Sequence, residues 1–178
     1  LMSGLSGSGK TTVARKFAQR TGAIHIRSDA VRKHMAGIPL HQRGAGARGY
    51  DEGIYTPEMT RQTYTRLLEL GLFLARQGLT VVLDARYDRQ EFRSEAIARA
   101  RVHRIPLKIF YCTAPPEVLR SRLQTRTGDI TDATADLLDH QQKTLEPFTE
   151  AEKAYVKVFN TEQDLDEQLR QVIPPPPA

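Results

Sequence analysis

Short apolar runs of strand length alternate along the chain with stretches whose apolar positions recur at helical spacing. Leu1, Met2 and Ser3 read as the last residues of a buried strand that runs into a glycine loop, and Lys10–Thr21 reads as a helix closed by Gly22. Ala23–Ile26 is a short strand and Asp29–Met35 a short helix. The stretch 37–55, with Gly44, Gly46, Gly49 and Gly53, reads as a long loop, and loops of that length inside a domain commonly serve function. Thr56 as N-cap and Pro57 at the first helical position open a long helix carrying Met59, Leu67, Leu68, Leu70, Leu72, Phe73 and Leu74, which Gly78 ends. Leu79–Asp84 is apolar almost to its final acid, as a strand covered on both faces would be. A helix over Arg89–Val102 leads to the strand Leu107–Cys112, and Pro115 and Pro116 start a helix that runs to about Arg126. After a polar hinge at Thr127–Thr131 come a helix over Ala133–Leu145, a strand at Tyr155–Phe159 and a last helix at Asp164–Ile173. Five alternations of strand and helix predict an α/β domain: a parallel sheet with helices on both faces and right-handed crossovers.

At 178 residues, 39% hydrophobic and 26% charged, the chain has apolar content for one core. No apolar run is long enough to span a bilayer and no signal-peptide pattern opens the chain, so the expectation is a soluble, cytoplasmic protein, and a monomer. Cys112 is the only cysteine; an internal disulfide is excluded, and its apolar strand assigns it to the core. The first strand looks truncated, which suggests a domain, 1–173, excised from a longer polypeptide, followed by a proline-rich tail at 174–178.

Net charge is +5 but unevenly spread: residues 1–50 carry nine Lys/Arg against the single acid Asp29, whereas residues 129–178 carry four against eleven acids. A basic front half suits an anionic ligand, a nucleotide or a nucleic acid. With no Trp and 7% aromatic residues, no stacking platform for single strands is evident, and the nucleotide is favoured.

The chemistry is concentrated in Gly4-Leu5-Ser6-Gly7-Ser8-Gly9-Lys10-Thr11, a GxxxxGK[ST] phosphate loop between a strand end and a helix start. Gly4, Ser6, Gly7, Ser8, Gly9, Lys10, Thr11 and Thr12 are the candidate nucleotide contacts. Glycines let backbone N–H groups converge as an anion nest, Lys10 would bridge the β- and γ-phosphates of ATP, and the Thr11 hydroxyl would ligate Mg²⁺. Asp29 follows the second strand, on the rim where ligands of parallel sheets gather, and can accept a proton from a substrate hydroxyl; it is equally a residue type found at helix N-caps. Asp84 ends the third strand on the same rim, where it would hold Mg²⁺ through water or, alternatively, anchor Arg86 or Arg93. Arg122 and Arg126, four apart on one helix face, could close over the nucleotide, while Arg120 lies on another face. The five histidines show no metal-binding spacing, and His25 reads as structural or solvated.

The phosphate loop, Ser28-Asp29-x-x-Arg32, Gly53-Ile54-Tyr55-Thr56-Pro57 with Thr63-Tyr64-x-Arg66-Leu67-Leu68, Val82-Leu83-Asp84-Ala85 and Arg122-Leu123-x-x-Arg126 together resemble the P-loop kinase domain fused behind aminoglycoside-phosphotransferase-like domains in bacteria. More distantly the chain is similar to polynucleotide kinases, gluconate kinases and zeta toxins. The resemblance implies a nucleotide-kinase-like P-loop NTPase fold, a three-layer sandwich on five parallel strands with the phosphate-loop strand in the middle. It implies Asp29 as general base, Arg32 as a phosphate or substrate contact, Arg122 and Arg126 as lid arginines, and an N-terminal phosphotransferase-like partner domain. Where relatives read Asp-Ala-Thr, this chain has Asp84-Ala85-Arg86. The function expected is a Mg-ATP-dependent kinase acting on a small-molecule hydroxyl; the alternatives are a polynucleotide 5′-hydroxyl kinase and a non-catalytic ATP-binding regulatory module.

Overall fold

In the computed structural model the alternation of runs becomes five strands and the helices between them. The structure describes residues 1–42, 53–125 and 135–173, with the backbone alone for 135–137. Arg126, the expected hinge at Thr127–Thr131, most of the 37–55 loop with Gly44, Gly46, Gly49 and Tyr50, and the proline-rich tail therefore lie outside the described residues.

The strands are β1 (Met2–Ser3), β2 (Ile24–Arg27), β3 (Val81–Asp84), β4 (Ile109–Thr113) and β5 (Val156–Asn160). The helices are α1 (Lys10–Thr21), α2 (Ser28–Met35), α3 (Pro57–Arg76), α4 (Gln90–Val102), α5 (Pro116–Gln124), α6 (Ala135–Thr144), α7 (Glu150–Lys153) and α8 (Leu165–Arg170). Local chemistry explains the boundaries. Gly22 closes α1 in the left-handed conformation, and the Thr56 hydroxyl accepts the Met59 N–H at the start of α3, where Pro57 costs no hydrogen bond. The sequence reading left out two short elements: a 3-10 turn at Gly53–Tyr55 and α7, which opens with a reciprocal Thr149–Glu152 capping box.

Among the described residues all strand pairs are parallel. β1 pairs with β4, β4 with β5, and β2 with β3, where Arg27 stands opposite Asp84. The expected single five-stranded ladder is instead hydrogen-bonded as two, β1-β4-β5 and β2-β3. The reason is the brevity of β1: on its β3 side the one backbone bond falls just past both strands, Gly4 N–H to the Arg86 carbonyl at 2.9 Å, beside the Ser3 hydroxyl that donates to the Tyr87 carbonyl at 3.1 Å. The phosphate-loop strand is thus central, as expected, but joined on one side by a single backbone hydrogen bond.

Both faces of the sheet are covered. In β3, Val82 packs with Met2, Val13, Ala14, Phe110, Cys112, Phe159 and Leu169, while Leu83 turns to the opposite layer with Tyr64, Leu67, Leu68, Leu72, Phe92 and Ala96. A continuous apolar run is what a strand between two helical layers needs. Cys112 is buried, and burial raises its thiol to about 12, so it stays a neutral core side chain. A third, smaller cluster of Leu119, Leu123 and Leu138 sits under α5 and α6 and receives Leu5 of the phosphate loop. Among the described residues no helix is long and apolar enough to cross a membrane.

One buried ion pair ties the far layer together. The Arg93 guanidinium, fully buried, grips Glu152 through Nε at 2.8 Å and Nη2 at 3.2 Å, and donates to the carbonyls of Tyr87 and Pro147. Replacing Glu152 by Ala leaves that charge uncompensated, so Glu152→Ala is expected to cost about 3–5 kcal/mol and to lower Tm by roughly 10 °C in thermal unfolding. A change under about 2 °C would show the pair to be energetically neutral.

Candidate active site

The loop between β1 and α1 is shaped by what presses on it from behind. A Cβ on Gly4, at φ 133, would stand 2.4 Å from the Cys112 carbonyl, and one on Gly7, at φ 80, would stand 2.8 Å from the Leu119 carbonyl. Only glycine lets the backbone pass so close to β4 and α5 in those conformations. The α1 ladder begins with Val13 N–H to the Gly9 carbonyl at 3.0 Å, so the N–H groups of Gly9, Lys10, Thr11 and Thr12 have no helical partner. No acid stands in the first turn of α1. Free N–H groups and the positive helix end make this an anion site.

Lys10 Nζ arches back to donate to the Leu5 carbonyl at 2.7 Å, which places its charge across the loop. Desolvation pushes this ammonium below its usual range, while Asp84 and Asp29 pull it back up. The Thr11 hydroxyl donates to Asp84 Oδ2 at 2.8 Å. Asp84 is buried, and burial alone would raise its carboxyl, but His25, Lys10 and Thr11 together hold it below the ordinary carboxylate value. It is an anion at neutral pH. A hydroxyl and a carboxylate side by side are the hard oxygen donors that Mg²⁺ prefers, so the pair fits the expected metal.

Asp84 does not anchor Arg86 or Arg93. Arg86 pairs with Asp88 at 3.3 Å and Arg93 with Glu152, while Asp84 takes Thr11, His25 Nε2 at 3.0 Å and, more loosely, Arg27 Nε at 3.9 Å. His25 is the residue that sequence reasoning missed. It stands two positions before Arg27, and the parallel register that sets Arg27 beside Asp84 puts His25 on the same face, diagonal to the acid. The signal was its parity with Arg27 on a strand leading to the rim.

Asp29 lies in the first turn of α2 rather than at its N-cap, a position that Arg27 holds with no side-chain cap. It is half-buried, and its charge is felt by both Lys10 and Arg32, so it belongs to the phosphate-loop rim. Arg32 points elsewhere. Its Nη1 donates to the Ile54 carbonyl at 2.9 Å and to Thr60 Oγ1 at 3.2 Å, with the guanidinium 5.0 Å from the centre of the Tyr55 ring. Buried among these groups, it clasps the 3-10 turn and α3 to α2; this is the physical reason it is not aimed at a phosphate here. Its Nε is buried without a partner.

Arg122 does reach the phosphate loop, but through the backbone: Nη1 donates to the Gly7 carbonyl at 3.3 Å and to Thr161 Oγ1 at 2.8 Å, and Nη2 to the Thr161 carbonyl at 3.1 Å. Arg120 faces out and pairs with Asp139 at 2.9 Å. Gln141 of α6 reaches the loop as well, its Oε1 accepting the Ser6 N–H at 3.0 Å, and nothing in the sequence foretold it.

Comparison with known proteins agrees with this geometry. The profile of the AAA domain family matches residues 1–148. The uncharacterized protein Rv2004c of Mycobacterium tuberculosis is 30% identical over 139 residues, which is 77% of this chain and 27% of that protein. The chain thus spans about a quarter of the length of the curated relatives it matches. Among solved structures, an unliganded sugar kinase from Janibacter sp. HTCC2649 superposes with TM-score 0.66 at 23% identity, covering 96% of this chain and 89% of that one. A gluconokinase from Sinorhizobium meliloti 1021 gives 0.65 at 23% identity, covering 96% and 86%. Chaetomium thermophilum Kti12 in complex with ADP-AlF3 gives 0.70 at 17% identity, covering 96% and 93%. At such identities the likeness is one of fold: an α/β P-loop NTPase with parallel strands and flanking helices.

Proposed function

The chain belongs to the AAA domain family, whose phosphate loop implies nucleotide binding, and from that premise we propose a Mg-ATP-dependent kinase that moves the γ-phosphoryl group onto a hydroxyl of a small molecule. The observation that carries the reading is the 2.8 Å contact between Thr11 and Asp84 at the foot of a loop whose lysine also feels Asp29. A nucleotide-binding site alone needs no second acid at that rim; phosphoryl transfer to a hydroxyl needs a group to take the proton.

The roles follow from position. The N–H groups of Gly9–Thr12 and the charge of Lys10 hold the polyphosphate. Thr11 and Asp84 would hold Mg²⁺, whose chemistry when bound is to neutralise the β- and γ-phosphate oxygens. Asp29, whose charge acts on Lys10 and Arg32 at the loop's rim, accepts the acceptor's hydroxyl proton as that oxygen bonds to the γ-phosphorus and the bond to ADP breaks. Arg122 steadies the loop through Gly7. The S. meliloti gluconokinase and the Janibacter sugar kinase, both named for small-molecule acceptors, support the acceptor class. Relatives nearly three times as long support the reading that such a domain works fused to another.

The test is ADP release from Mg-ATP by the purified chain against a panel of sugars, sugar acids, nucleosides and an oligonucleotide with a free 5′-hydroxyl. A small-molecule acceptor is expected to raise ADP release well above the acceptor-free rate. Label transfer to the oligonucleotide end would replace this reading with a polynucleotide kinase; tight ATP binding with no acceptor-dependent release would replace it with a regulatory module.

A further inference from the structure

The phosphate loop is a soft object, because Gly4, Gly7 and Gly9 all hold positive φ and glycine loses more freedom on ordering than any other residue. Something outside it must set its shape before a nucleotide arrives. Two side chains do so at adjacent residues. Arg122 of α5 donates to the Gly7 carbonyl, and Gln141 of α6 accepts the Ser6 N–H at 3.0 Å from 135 residues away in the chain. Gln141 is 2% exposed, so this bond is shielded from water. Its orientation is also dictated: the Ser6 N–H is a donor, so the amide oxygen, and not the nitrogen, must face it. Just before these two bonds Leu5 drops into the small cluster of Leu119, Leu123 and Leu138, which belongs to the same pair of helices.

We propose that Gln141 is a positioning residue of the nucleotide site, holding the front of the phosphate loop in its binding shape so that α6 sets the affinity for the polyphosphate. The proposal rests on the loop being a nucleotide site and adds to it a residue from outside every motif in the sequence. The Ser6 N–H, once spent on Gln141, is withdrawn from the anion nest, which confines phosphate contacts to the later amides at the start of α1. Removing the acceptor frees that N–H in a buried place and lets the loop sample other shapes, a loss of preorganisation that falls on binding.

The experiment compares Gln141→Met, which keeps the volume and removes the acceptor, with Leu72→Ala, which opens a cavity in the core cluster under α3 and leaves the bond intact. ATP and ADP dissociation constants are measured by calorimetry on the whole chain at 15 °C, with Tm and the hydrogen exchange of the Ser6 amide in parallel. Gln141→Met is expected to weaken both nucleotides about tenfold, the size of one unsatisfied buried donor, and to speed Ser6 exchange. Leu72→Ala is expected to lower Tm at least as much while nucleotide affinity and Ser6 exchange stay near wild type. Wild-type affinity in Gln141→Met, or affinity that falls in step with Tm in both variants, overturns the proposal. Should the wild type bind no nucleotide at all, the functional reading fails instead, and Ser6 exchange still reports whether Gln141 holds the loop. An unprotected Ser6 amide in the wild type overturns the proposal even if Gln141→Met does not fold.

Discussion

Asp29→Asn is expected to lower phosphoryl transfer by about 10²- to 10⁴-fold while ATP affinity stays within about twofold of wild type. Asparagine matches the aspartate in size and can still accept hydrogen bonds, but it cannot take a proton at neutral pH. Asp29 stands in the first turn of α2 with Lys10 and Arg32 close enough for their charges to act on one another, so its carboxylate lies on the rim of the loop that the proposed acceptor would approach. The substitution also removes a negative charge from a helix N-terminus, worth roughly 0.3–1 kcal/mol, so a small fall in Tm accompanies it without unfolding the chain. Single-turnover transfer and calorimetry with a non-hydrolysable ATP analogue separate the two effects. An unchanged transfer rate means that another group takes the proton.

Lys10→Ala is expected to damage both steps, with transfer down about 10²- to 10³-fold and nucleotide affinity down at least about tenfold. Lys10 is the cation nearest the loop's own backbone, donating to the Leu5 carbonyl at 2.7 Å, and its desolvation makes each charge interaction there stronger than it would be in water. Alanine deletes both the charge and the strut. Lys10→Arg tells the two losses apart: it keeps the charge but carries a planar fork, which does not fit where a compact ammonium sat, so partial recovery of affinity with little recovery of rate is expected. Catalysis that survives Lys10→Ala would remove the phosphate loop from the mechanism.

Residues whose role depends on near neighbours in the chain were legible without the fold. The glycines and Lys10-Thr11 act within one turn of backbone, Thr56-Pro57 caps the helix it opens, and Val82 and Leu83 announce by their unbroken apolarity that helices cover both sides. The Thr149-x-x-Glu152 box that starts α7 was equally local and was overlooked because α7 is only four residues long. Long polar side chains were harder. Arg32 carries the spacing of a ligand contact yet reaches the Ile54 carbonyl, because a guanidinium buried between α2 and α3 must find acceptors among whatever packs against it. Arg93 was considered only as a partner of Asp84, and Glu152, Gln141 and Thr161 drew no attention in the sequence, since each finds its partner across a sheet or a layer.

By itself, then, the order of residues determined the class of fold, the anion nest and the two rim acids, because periodicity, glycine conformation and strand ends are properties of short segments. Only the tertiary structure decided that the β1 and β3 ends meet through one backbone hydrogen bond, that His25 sits on Asp84 and that α5 and α6 grip the loop through Arg122 and Gln141. Those are choices among many possible partners for a flexible polar group, and burial makes them: once water is excluded, each donor and acceptor takes the complement that packing brings within about 3 Å.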